Sequence, residues 1–155
     1  MIRPLPLLVP LLALLAWPAG ALTLDAMQGR WMGEGALTLG DEPPQRLRCQ
    51  IRLNPVQPGE SFFVGRCATA QAQQSFTYMI FEAADGTLRA ENRAEGESEL
   101  PPLMQGQSGP GLLRLQADSG ASFELHHDGE VLVFTLTGTD SRGPARGEAR
   151  LSPRE

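Results

Sequence analysis

From Gly29 onward, apolar and polar residues mostly alternate in short runs, and helical periodicity is nearly absent. The clearest run covers residues 46–53. Leu47, Cys49, Ile51 and Leu53 fall on one face, while Arg46, Arg48, Gln50 and Arg52 fall on the other. That is the period of a strand with one dry and one wet face. Similar runs predict strands at 30–39, 61–69, 74–83, 87–93, 112–117, 122–127, 131–138 and 145–151, with a weaker one at 103–107. Asp85-Gly86 and Asp128-Gly129 predict tight hairpins of type I′, which need positive φ at both central residues. Successive hairpins make an antiparallel meander. The expected fold is all-β, a meander barrel of about eight to ten strands, because closure removes exposed edges; an open two-sheet sandwich is the second choice.

Residues 94–111 interrupt the pattern. They begin with Glu95, Glu97 and Glu99, pass Pro101-Pro102 and end in Gly-Gln-Ser-Gly-Pro-Gly. This composition predicts a solvated connector, with a lid over a barrel mouth as the alternative.

Folding 46–53 back on 61–69 about Pro58 sets Cys49 opposite Cys67, Ile51 opposite Gly65 and Leu53 opposite Phe63. Facing residues of a non-hydrogen-bonded pair have Cα atoms about 4.5 Å apart, within reach of a disulfide. The chain has two cysteines, and this register pairs them.

A disulfide requires an oxidising compartment, and the first residues supply the route. Arg3 precedes an apolar, leucine-rich stretch that ends in Ala19-Gly20-Ala21. These are the parts of a secretory signal peptide, with small residues at −3 and −1 and cleavage expected after Ala21. A membrane span fits less well, since Pro4, Pro6, Pro10 and Pro18 would fall inside the helix. The organisation expected is a signal peptide at 1–21 and one barrel domain at 22–155, periplasmic or secreted, with no stable membrane anchor after cleavage.

The net charge is −5, and loss of Arg3 with the leader makes it one unit more negative. This argues against a nucleic-acid binder. All 13 basic residues are arginine, which excludes Schiff-base chemistry on a lysine. His126 and His127 are adjacent and point to opposite faces of a strand, so they cannot converge on a metal. Ser108 lies in a Gly/Pro loop with no positional link to a histidine. The sequence therefore nominates no catalytic residue, metal site or cofactor. Arg46, Arg48 and Arg52 share one face, and the register places Arg66 beside them. They form a candidate anion patch, although a water-facing sheet is the plainer reading. Glu34 is expected near Arg52.

Gly29-Arg30-Trp31-Met32-Gly33-Glu34-Gly35 resembles the Gly-x-Trp start of the lipocalins and related calycin barrels. The resemblance implies that Trp31 plugs one barrel end, with Arg146 or Arg150 stacked over it, and that the interior receives a small apolar or amphipathic ligand. Leu37, Ile51, Phe63 and Phe76 are the expected lining. The arrangement is also similar to small periplasmic inhibitor barrels of bacterial metalloproteases, whose inhibitory part is a free N-terminal trunk. That likeness implies a protein-binding module with residues 22–28 as the trunk. A non-enzymatic ligand-binding barrel is the first expectation and the inhibitor-like barrel the second.

Overall fold

The computed structural model describes residues 22–155; the proposed leader lies outside them. Ten strands form the fold: β1 (Gly29–Leu39), β2 (Gln45–Gln57), β3 (Glu60–Ala68), β4 (Gln73–Glu82), β5 (Thr87–Asn92), β6 (Leu103–Gly109), β7 (Leu112–Gln116), β8 (Ser122–Asp128), β9 (Val131–Asp140) and β10 (Gly143–Arg154). Each pairs antiparallel with its neighbour in sequence, and β10 pairs with β1, which closes the barrel. The expected barrel is therefore what forms, and the open sandwich is not. A single 3-10 turn, Asp25–Met27, precedes β1.

The period-two pattern becomes the inside and outside of the wall. Trp31, Leu47, Cys49, Ile51, Leu53, Phe63, Phe76, Leu115, Phe134 and Leu151 belong to one buried core. The β2–β3 register is as expected: Cys49 faces Cys67, Ile51 faces Gly65 and Leu53 faces Phe63. Cys49 and Cys67 are disulfide-bonded, with Cα atoms 4.2 Å apart.

Two strand boundaries and the Asp-Gly turns depart from the expectation. β2 runs through Pro55 to Gln57, so the reversal is confined to Pro58-Gly59, where Gly59 has φ 78°. The weak run near 103 is a full strand, which shortens the irregular segment to 93–102. Neither Asp-Gly turn is type I′, because only the glycines, Gly86 and Gly129, have positive φ. Asp85 instead accepts the Thr87 N–H at 2.9 Å, so its side chain stabilises the turn while its backbone stays in the ordinary region.

Two inward stretches lack side chains for a steric reason. A Cβ on Gly33 or Gly35 would overlap the carbonyl oxygens of Arg150 or Glu148, and one on Gly106 would overlap that of Arg114. Neighbouring backbone comes close at β1/β10 and β6/β7, where only glycine fits. A ten-stranded wall could enclose a wide lumen. Here four phenylalanines fill the middle instead: Phe63 stacks on Phe76 and Phe123 at 4.9 and 5.0 Å, and Phe134 meets Phe63 edge-on.

Candidate functional site

The two ends of the barrel differ. One is sealed by residues 22–28. Leu24 and Met27 are fully buried there, and the Thr23 and Leu24 amides donate to the Glu82 carboxylate at 3.2 and 2.7 Å. Asp25 accepts the Gly59 N–H at 3.1 Å, and Gln28 donates to the Ser61 hydroxyl. The segment expected as a free trunk is therefore a built-in plug. Trp31 does line this end, but neither Arg146 nor Arg150 covers it. Its indole N–H donates to the Met27 carbonyl at 2.9 Å, and its ring edge meets His127 with centroids 5.4 Å apart. The arginines of β10 sit at outward positions of an alternating strand, so they cannot reach an inward ring.

The opposite end holds an apolar cleft of about 140 Å³. Its floor is the aromatic cluster of Phe63, Phe76, Phe123 and Phe134, and Tyr78 and Met104 form one wall. Leu100 and Pro101, from the 93–102 loop, lean over one side, while Gln74, Ser122 and Thr137 supply polar groups. The loop is held in place from below. The Tyr78 hydroxyl donates to the Pro101 carbonyl at 2.7 Å, and the Asn92 amide donates to Ser98 at 3.2 Å. Burial pushes the Tyr78 hydroxyl up to about 12, so it stays a donor through the neutral range. The connector and lid readings thus divide the loop between them. Residues 94–99 are exposed, and Leu100-Pro101 cover the cleft.

The expected lining residues separate. Phe63 and Phe76 line the cleft. Ile51 is buried deeper in the core, where β2 faces Trp31 and Gly65, and Leu37 packs half-buried near Gly147 outside the cleft. Alternation told inside from outside but carried no information on depth along the barrel axis. The residues missed, Phe123, Phe134, Met104 and Leu136, obey the same alternation on β6, β8 and β9. Their apolar, period-two runs were the available signal.

The four arginines also divide. Arg46 and Arg48 both pair with Glu34, at 2.6 and 3.2 Å. Hydrogen bonding from Arg46, helped by the two positive charges, holds the Glu34 carboxyl below its usual range. Glu34 was expected near Arg52, yet Arg48 faces it across β1/β2 and Arg30 faces Arg52. Arg52 and Arg66 therefore stand apart from the two arginines that share Glu34. Elsewhere, His127 turns inward and His126 outward, and the Ser108 hydroxyl donates to the Gly86 carbonyl. Among the described residues no three His, Cys, Asp or Glu side chains gather as a metal site, and no helix is long and apolar enough to cross a membrane.

A comparison with known protein families finds no match, and a search among curated proteins finds no similar sequence.

Proposed function

We propose that this chain is an exported, non-enzymatic barrel that binds a small apolar or amphipathic ligand through the cleft at its open end. The observation carrying this reading is the combination of a plugged end with an aromatic-floored cleft of about 140 Å³ at the other. Deep ligand pockets usually measure about 300–1,000 Å³, so this cleft does not enclose a drug-sized molecule. Its volume matches an apolar cavity of about 150 Å³ that accepts benzene. The part of the ligand that enters is thus one aromatic ring or a short branched alkyl group. Any polar remainder stays at the rim, within reach of Gln74, Ser122 and Thr137.

Ala121 lines the cleft, and Ala121→Phe would place a ring of the protein's own in the space. Titration with toluene and p-cresol, followed by amide chemical shifts, is expected to move resonances around Phe76, Phe123 and Leu136 in the parent and not in the variant. Equal shifts in both proteins, or none in either, would remove the reading. Native mass spectrometry of protein taken from its producing cell would identify a carried ligand by its added mass.

A further inference from the structure

On the outer wall, β1, β2 and β3 enclose a shallow groove of about 310 Å³. Its sides are the outward side chains Arg30 and Met32 of β1, Gln50 and Arg52 of β2, and Val64 and Arg66 of β3. Arg30 faces Arg52 on one side and Arg154 on the other, so three guanidinium groups stand in one row across β2, β1 and β10. Arg66 lies on the diagonal, opposite Gln50.

Like charges set directly opposite on neighbouring strands repel, and a sheet exterior normally interleaves them with carboxylates. That is what happens one step along the wall, where Glu34 takes both Arg46 and Arg48. Arg30, Arg52, Arg66 and Arg154 have no carboxylate within 4.0 Å among the described residues, although the chain as a whole is acidic. The same region is unusually apolar. Met32, Val56, Phe62 and Val64, all on β1–β3, are four of the five large apolar side chains left exposed among the described residues. Unneutralised guanidinium groups beside exposed apolar ledges match one kind of molecule.

We infer that this groove binds a single anionic amphiphile, its phosphate or carboxylate head held by Arg30, Arg52 and Arg66 and its alkyl part lying along Met32 and Val64. Guanidinium groups engage such heads through paired N–H donors. Gln50 adds an amide donor from the same wall. This site is independent of the apolar cleft at the mouth.

The test is a titration of isotope-labelled protein with dodecyl phosphate below its micelle concentration, followed by amide shifts and calorimetry. One-to-one binding is expected, with the largest shifts at residues 30–32, 50–52 and 64–66. Arg30→Gln, Arg52→Gln and Arg66→Gln should each weaken it about tenfold, as loss of a bidentate charged contact does. Arg46→Gln, at a side chain ion-paired with Glu34 and outside the groove, should stay within about twofold. All four positions are exposed, and unchanged melting curves would show that the variants fold. Higher ionic strength should weaken binding. Three outcomes overturn the inference. Shifts confined to the mouth would move the ligand to the other site. Equal binding of dodecyl maltoside or of inorganic phosphate would remove the need for one half of the amphiphile. Binding to phosphatidylglycerol vesicles with none to the monomer would replace the groove by a membrane surface.

Discussion

Glu82 ties the N-terminal plug to the barrel, and replacing it tests how that end is sealed. It is only 8% exposed, and its two oxygens accept the consecutive amides of Thr23 and Leu24. Glu82→Ala leaves both donors without a partner. Thr23 is half-buried, so water can satisfy its amide; Leu24 is fully buried, so its amide has no ready substitute. An orphaned buried donor costs about 1–3 kcal/mol, and loss of a charged hydrogen bond has a similar size. The combined expectation is about 2–4 kcal/mol for Glu82→Ala. Glu82→Gln keeps one carbonyl acceptor and should cost about half as much. Urea unfolding gives the free energies, and limited proteolysis reports on residues 22–28 directly. The alanine variant should be cut there under conditions that leave the parent intact. An unfolding midpoint and a cleavage pattern both identical to the parent would refute the plug argument.

Replacing Cys49 and Cys67 by serine should cost about 3 kcal/mol for a sequence separation of 18, read from urea unfolding against the parent with and without reductant. Gly65→Ala sets a methyl into the Phe76 ring, which Phe63 holds from the other side. A loss of about 1–3 kcal/mol is expected, partly recovered in Gly65→Ala/Phe76→Leu, and a neutral Gly65→Ala would show that the ring has room to move. Tyr78 is the sole tyrosine, so its ultraviolet titration is free of overlap and should centre near 12 rather than the ordinary 10. The folded state then holds a proton that the unfolded state has released. This stabilising contribution is complete below pH 10 and declines as pH rises toward 12. A midpoint at 10 would mean that the hydroxyl is solvated and the loop above it unpinned.

The parts of the fold legible in the sequence were those carried by nearest neighbours along a strand or across one hairpin. Leu47, Cys49, Ile51 and Leu53 declared an inner face, and Pro58-Gly59 aligned it with β3 well enough to pair the cysteines. The plug was not legible. Leu24 and Met27 are too few to show a period, and the acceptor that holds them, Glu82, lies at the far end of β4 and resembles any strand-terminal acid. The arginine row was hidden for another reason. Arg30 and Arg154 belong to opposite ends of the chain and become neighbours only when the barrel closes. Without that closure the patch was drawn across β2 and β3 alone, and two of its four members proved to be ion-paired with Glu34. The cleft was half legible: Phe63 and Phe76 were found, while Ile51 and Leu37 occupy inward positions at other depths.

The seam between β1 and β10 joins strands more than a hundred residues apart. Its partners run from Arg30 with Arg154 to Leu39 with Ala145, so the first strand to emerge must wait for the last. Until β10 arrives, β1 and β9 are both open edges, able to recruit a strand from another copy. Contacts so distant in sequence form slowly. A chain missing its last dozen residues would therefore be an unzipped sheet with two adhesive borders rather than a slightly smaller barrel. Its expected fate is self-association through those two borders.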